Sequence, residues 1–272
     1  MLTRLPATYA AAAAAFAETA RLAPEFAPRR LLDAGAGPGG ASWAALEAWP
    51  DLETVVQLDA SGPFLAMAER LAADAPAPLR EAERRRVDLT APPEAWPAAD
   101  LVVASYALAE IAPGRLGETV AGLWQACQGV LVLIEPGSPA GAARLSEART
   151  ALTSAGGAVL APCPHDGACP IVAPDWCHFS QRLPRRRDHR IAKGGQAPFE
   201  DEKYAYLAVA RPGVVRAPRS GRIIAPPKAS KAGIEFSVCD VDGMNRRDVA
   251  RRDKAGFAVA RRLDWGDRFP PS

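Results

Sequence analysis

The chain of 272 residues contains five cysteines, and four of them form a pattern able to bind an inorganic centre. Cys163, Cys169 and Cys177 run as C-x5-C-x7-C within Pro162-Cys163-Pro164-His165 and Asp175-Trp176-Cys177-His178-Phe179, and Cys239 follows 62 residues later. Residues 157–200 otherwise show no sustained periodicity, and thiolates gathered on one ion or cluster would organise such a stretch. Three readings are open. A cubane iron–sulfur cluster takes four thiolates at wide, irregular spacing, often beside prolines. Zinc more often takes C-x2–4-C pairs, which are lacking, although His165 and His178 offer substitute ligands. The thiols could also stay unligated; disulfides need an oxidising compartment, and no export signal points to one. Cys127, in the helical pattern Leu123–Cys127, reads as a small core residue.

A second chemical pattern lies upstream. Arg30-Leu31-Leu32 runs into Asp33-Ala34-Gly35-Ala36-Gly37-Pro38-Gly39-Gly40, and a helical pattern starts at Ala41. Such glycines let the backbone turn sharply and approach a ligand beneath a helix N-terminus. Asp59 ends the next apolar run, Thr54–Asp59, where a carboxylate can accept both ribose hydroxyls. The outline serves NAD, FAD or S-adenosylmethionine. Two details favour S-adenosylmethionine: Asp33 can face a sulfonium-bearing amino acid, and no basic residue in the turn greets a pyrophosphate. Asp88, in Arg86-Val87-Asp88-Leu89, suits the adenine amino group. Ser105 and Tyr106 end a later apolar run and either line the pocket or simply pack. No catalytic residue emerges. There is no Asn-Pro-Pro-Tyr-like element for methylating a base nitrogen, and no cysteine pair placed as in cytosine-5 RNA methyltransferases.

These residues need a scaffold. Apolar runs at Arg30–Leu32, Thr54–Leu58, Ala99–Ala104 and Gly129–Glu135 alternate with helical patterns at Gly62–Leu71 and Arg115–Ala126. Alternation of this kind predicts an α/β fold. The expected architecture is a Rossmann-like doubly wound parallel sheet of the class I S-adenosylmethionine-dependent methyltransferase type. Residues 213–272 alternate apolar and polar positions at Gly221–Ile224, Gly233–Cys239 and Gly256–Ala260, which predicts a small antiparallel β unit compatible with RNA binding. The expected organisation is a cofactor-binding domain over 1–156, a cysteine-rich basic segment with a final sheet strand over 157–212, and a small basic β domain over 213–272. Cys239 would tie the last to the cysteine loop.

Charge is sorted along the chain. Residues 1–180 hold 12 arginines, no lysine and 20 acidic residues, a net of −8; residues 181–272 hold 21 basic and 11 acidic residues, a net of +10. The acidic part is unsuited to a polyanion, whereas the basic part can release counterions from one. Its densest run places Arg182, Arg185, Arg186, Arg187, Arg190 and Lys193 beside Trp176 and Phe179. These are the expected RNA contacts, gripping phosphates and stacking on unpaired bases, and they could also ease burial of an anionic cluster. A solvated basic face is the plain alternative. With 49% apolar and 24% charged residues, global disorder is excluded. No uncharged apolar run reaches the roughly 18 residues of a membrane span, so no membrane partner is expected. The Ala10–Ala15 run is weakly apolar and soon meets Glu18, unlike a signal peptide. A bacterial cytoplasm is expected from the Ala/Arg/Pro bias, or a mitochondrion if the source is eukaryotic; a monomer is expected, though no sequence feature specifies the oligomeric state.

With these motifs in place, the chain resembles the small-ribosomal-subunit methyltransferase-like assembly factors of mitochondria and bacteria, the Rsm-type family. The resemblance rests on Arg4-Leu5-Pro6-Ala7-Thr8-Tyr9, Leu32–Trp43, Ile134-Glu135-Pro136-Gly137, Pro162–Phe179, Glu200–Leu207, Pro226–Cys239 and Trp265-Gly266-Asp267, and covers nearly the whole chain. Pro162–Phe179 is its most specific part. It implies S-adenosylmethionine as cofactor and the small ribosomal subunit with its rRNA as partner, with rRNA methylation or with binding alone. Mitochondrial relatives carry a [4Fe–4S] cluster on four cysteines, and Cys163, Cys169, Cys177 and Cys239 fall at the matching positions, with His178 a neighbour. Many relatives have a helical segment ahead of the Arg4–Tyr9 motif, whereas this sequence opens almost at it.

Overall fold

Successive residues of the apolar runs divide between two buried clusters. Leu31, Val103, Val130 and Val132 belong to one, and Leu32, Val102, Leu131 and Leu133 to the other. A strand buried on both faces must sit inside a sheet with helices on each side. The structure, a computed structural model, describes residues 3–91 and 96–270. Its elements begin with α1 (Leu5–Leu22), β1 (Arg30–Ala34), α2 (Gly40–Ala48), β2 (Thr54–Asp59), α3 (Gly62–Leu71), α4 (Ala77–Arg80), β3 (Glu83–Arg86) and β4 (Ala99–Ser105). Next come α5 (Leu116–Ala126), β5 (Cys127–Pro136), α6 (Pro139–Ser154), β6 (Ala158–Ala161), β7 (Phe179–Pro184), α7 (Arg187–Lys193) and β8 (Phe199–Ala210). The C-terminal part holds β9 (Gly221–Ile223), β10 (Lys228–Ala229), β11 (Gly233–Asp240), β12 (Gly243–Ala250), α8 (Lys254–Ala260) and β13 (Arg268–Phe269).

The large sheet has the order β3-β2-β1-β4-β5-β8-β6, with β7 also on β8. Strands β1 to β5 are parallel and β8 is antiparallel to β5. This is the expected doubly wound Rossmann-like sheet. Its strand order reverses between β1 and β4, which is where such sheets open a crevice beyond their strand ends. The Ala10–Ala15 run lies in α1, whose buried Ala11, Ala12, Ala15, Phe16, Thr19 and Leu22 recur at helical spacing and pack on α2 and the sheet.

Strand β8 determines where the cysteine segment goes. Tyr204 pairs with Pro136 across one edge and Phe179 across the other, and Ala208 pairs likewise with Val132 and Ala161. β6 and β7 therefore lie in line along one edge of β8, and residues 162–178 leave the sheet at the break between them. Their missing periodicity is this excursion.

The small sheet has the order β10-β11-β9-β13, with β12 on β11, all antiparallel. Ile223, Ile234, Phe236 and Val238 form its core. One expectation is corrected. Gly256–Ala260 is not a β segment but part of α8, begun by the Asp253 carboxylate accepting the Gly256 N–H at 3.0 Å. Phe257 and Ala260, three residues apart, pack on that core, and five residues are too few to separate the two periods.

Candidate cofactor cleft and cysteine cluster

The turn from β1 to α2 is left-handed at Gly35, Gly37 and Gly39, with φ of 75°, 53° and 87°. A side chain at Gly35 would collide with Ala107, whereas a Cβ at Gly37 meets nothing within 4 Å. That open space belongs to a cleft of about 620 Å³ walled by Gly35, Gly37, Asp59, Asp88, Ser105 and Tyr106. Asp59 accepts the N–H groups of Gly37 and Ser61, each at 2.7 Å, so it splints the turn while still facing the cleft. The exposed Asp88 accepts the Thr90 hydroxyl at 2.7 Å and its N–H at 2.8 Å, which hold the carboxyl below its ordinary range.

Two expected cofactor residues lie off this wall. Gly39 turns the chain into α2 against Gln57. Asp33 is fully buried and accepts the Ser42 hydroxyl at 2.6 Å and N–H at 3.1 Å, and Ser42 accepts from the Gln57 amide at 3.0 Å. The pleat explains this: Asp33 shares the face of Leu31, which α2 covers, so the carboxylate ties β1 to α2. Burial pushes the Asp33 carboxyl up to about 6. A raised carboxyl holds its proton more tightly in the folded state, so its contribution is full below about pH 4 and lost as pH rises through about 6. Denaturant titrations from pH 4 to 7 should show wild type losing roughly 2 kcal/mol relative to Asp33→Asn. Parallel curves would contradict this account of Asp33.

The far wall of the cleft escaped the sequence reading. Arg4, at the start of α1, lines the cleft and donates through both terminal nitrogens to Glu202 of β8, at 3.1 and 3.2 Å. The Tyr106 hydroxyl donates to the same carboxylate at 2.9 Å, and the Arg4 guanidinium stands 5.4 Å from the Tyr106 ring centre. Burial, then Glu202, push the Tyr106 phenol up. Tyr106 also has a φ of 57°, a left-handed conformation that a non-glycine residue keeps only when its surroundings hold it. Arg4 and Glu202 are 198 residues apart, and only their places in two quoted motifs marked them.

Three of the four cysteines share one groove, and the fourth lies beside His165 of the same segment. Cys163, Cys169 and Cys177 line a groove of about 280 Å³ beside α6 and β8. Cys239, buried on β11, has its Sγ 3.9 Å from His165 Nε2. Burial pushes the Cys177 thiol well up, and charge on Cys163, Cys169 or Cys239 pushes it further. Burial, with Cys163 and Cys169, carries Cys239 up to about 12. Among the described residues, no three His, Cys, Asp or Glu side chains are grouped so as to hold one metal ion. Burial pushes the Cys163 thiol up, and two buried arginines beside it, Arg149 and Arg222, pull in the opposite direction. Arg149 donates to the His165 carbonyl at 3.0 Å. Arg222 donates to the Pro162 carbonyl at 3.2 Å and the Gly266 carbonyl at 2.8 Å, and pairs with Glu18.

The basic run is not what screens the thiols, and half of it folds back on the protein. Arg182 donates to Asp201 at 2.7 and 2.9 Å and lies 4.2 Å from the Phe199 ring centre, while Arg185 and Lys193 pair with Glu200. The β7–β8 register sets Arg182 opposite Asp201 and Leu183 opposite Glu200. Arg186 and Arg187 remain exposed, and Arg190 is half-buried.

Comparison with known proteins places these features in a family. The family described as mitochondrial small ribosomal subunit Rsm22 matches residues 1–270. The chain is 30% identical to the human ribosome assembly protein METTL17, mitochondrial, over 99% of the chain and 61% of that protein. It is 27% identical to the Schizosaccharomyces pombe Rsm22-cox11 tandem protein 2, mitochondrial, over 89% of the chain and 38% of that protein. It thus spans less than two thirds of the length of these relatives. Among solved structures it is similar to the magnesium protoporphyrin IX methyltransferase of Synechocystis PCC 6803 (15% identity, TM-score 0.45, 69% of this chain and 72% of that one). It is also similar to the precorrin-6y C5,15-methyltransferase of Geobacter metallireducens (17%, TM-score 0.46, 73% and 86%). With a match over residues 1–270, the chain belongs to the Rsm22 family of mitochondrial small ribosomal subunit proteins.

Proposed function

We propose that this chain is a methyltransferase-like assembly protein of the small ribosomal subunit. In this reading it holds S-adenosylmethionine in the cleft, a [4Fe–4S] cluster on Cys163, Cys169, Cys177 and Cys239, and rRNA on its basic C-terminal part. The observation that carries the reading is that one member of the Rsm22 family joins an open glycine turn facing Asp59 to three cysteines lining one groove, with Cys239 beside His165 of the same segment. Relatives are named as mitochondrial proteins, which supports a mitochondrial setting for this reading.

The cleft fits the cofactor, whereas the cluster rests on the family resemblance of the four cysteines. At the cleft, the space beside Gly37 admits a ligand close to the backbone. Asp59 has carboxylate lone pairs left for ribose hydroxyls, and Asp88 stands on the adenine side. When bound, S-adenosylmethionine supplies an electrophilic methyl group, which leaves the protein mainly to align the acceptor. At the thiols, no three His, Cys, Asp or Glu side chains are grouped to hold a metal ion among the described residues. The proposal of a cluster core rests on Cys163, Cys169, Cys177 and Cys239 standing at the family's ligand positions. Four thiolates make that core anionic, and Arg149 and Arg222 stand where they offset the charge. For RNA, exposed Arg186 and Arg187 are the most available cations of the run. The three-part division at residues 156 and 212 belongs to this reading, with the cysteine segment clasping the two sheets together.

A second reading, binding without methyl transfer, is favoured by the cleft wall. Among the described residues it carries no His, Lys or Cys to act as a base, and Glu202 engages both Arg4 and Tyr106. Incubating the protein with labelled S-adenosylmethionine and immature small subunits separates the two. Label on the rRNA supports transfer; subunit binding with bound but untransferred cofactor supports the second reading. Failure to bind both cofactor and subunit would overturn both.

A further inference from the structure

The strand order supplies a ruler for the cleft. Asp88 follows β3, Asp59 ends β2, Gly35 follows β1, and Ser105 ends β4, in that spatial order. Adjacent strands lie about 4.8 Å apart, so Asp59 and Ser105 are separated by two spacings, about 10 Å. A nucleoside with its ribose on Asp59 and its base toward Asp88 therefore extends its 5′ substituent past Gly35 toward Ser105 and Tyr106. Arg4 stands at that end. Among the described residues it is the sole cationic side chain on a wall that also carries Asp59, Asp88 and Glu110. A carboxylate entering so acidic a cleft needs a cation to meet it.

We infer that Arg4 anchors the carboxylate of S-adenosylmethionine and that Glu202 competes for it. The inference rests on the cofactor reading above. Arg4 already grips a carboxylate through both terminal nitrogens, the fork geometry a second carboxylate would use. Exchange is cheap, because the Arg4 side chain is 56% exposed and an ion pair that open to solvent is weak. Glu202, 12% exposed, is not orphaned by the exchange, since it keeps the Tyr106 hydroxyl at 2.9 Å. The Tyr106 ring beneath the guanidinium limits where Arg4 can swing. Arg4 is thus a specificity residue that distinguishes a nucleoside bearing an amino-acid carboxylate from one without it.

The test measures equilibrium binding of S-adenosylmethionine and of its decarboxylated form, which differs only in lacking that carboxylate. Wild type should bind the complete cofactor about threefold to fivefold more tightly, as expected for a partly exposed charge pair. Arg4→Met should erase the ratio by weakening the complete cofactor alone. Glu202→Gln, which removes the competitor but leaves Arg4, should strengthen the complete cofactor and leave the decarboxylated form unchanged. A ratio unchanged in Arg4→Met, or equal binding of both compounds by wild type, overturns the Arg4 assignment alone. Binding of neither compound by wild type overturns the cofactor reading and this assignment with it.

Discussion

Replacing Cys239 with serine will loosen the small sheet and leave the Rossmann-like sheet folded. Cys239 is the thiol that comes from outside the 162–178 excursion, on β11 opposite Arg222 and Met244. Ligand binding by a structural metal centre is itself folding free energy, on the order of 10 kcal/mol for structural zinc. Losing one ligand of four therefore has a large effect wherever the centre is what joins two parts. Other ties persist: Arg219 donates to Asp166 at 2.6 Å, and Arg222 keeps its bond to Pro162 and its pair with Glu18. The expected outcome is thus local. Limited proteolysis of Cys239→Ser should cut within residues 162–178 and 221–250 at least about tenfold faster. The region from Leu5 to Pro136 should stay resistant, and RNA affinity should fall. Cleavage rates and RNA affinity equal to wild type would contradict the clasp.

The second large effect is expected at Gly37. An arginine there projects into space that no protein atom fills within 4 Å. Its guanidinium would stand close to Asp59, which accepts the Gly37 N–H at 2.7 Å, and would take the carboxylate that the ribose needs. Gly37→Arg should weaken S-adenosylmethionine binding by about 100-fold or more, equivalent to roughly 3 kcal/mol, while subunit binding persists. Gly37→Ala is the control. It bears the same left-handed strain at φ 53° without filling the cleft, and should cost about 1 kcal/mol of stability with much less loss of binding. Equal cofactor affinities in the two variants would show that the backbone, not the occupied space, sets the effect.

What the sequence made legible was chemistry whose partners are near neighbours along the chain, or whose residue types are rare. Gly35 and Gly37 are followed within one βα unit by Asp59, and spacing alone put them on one wall. The cysteines of the 162–178 segment could be grouped from their spacing, whereas Cys239, 62 residues on, joined them only through the family resemblance. What was not legible depended on direction or register. Asp33 was misjudged because residue order does not say which face of β1 meets α2. Arg182, Arg185 and Lys193 looked free because counting charges cannot see that β7 and β8 run antiparallel and deliver Glu200 and Asp201 to them. Arg222 and Arg149 were invisible as companions of the thiols for the same reason. Arg4 and Glu202 meet only because α1 and β8 pack together, a contact that no local pattern encodes.

The central claim is that Cys163, Cys169, Cys177 and Cys239 share one inorganic core that joins the two sheets. Metal and acid-labile sulfide analysis of anaerobically purified full-length protein tests it most directly. The account predicts iron and sulfide in equal amounts, with a brown absorption that dithionite bleaches, both lost in Cys239→Ser. Zinc without sulfide, or protein free of metal with all four thiols open to alkylation, would contradict it.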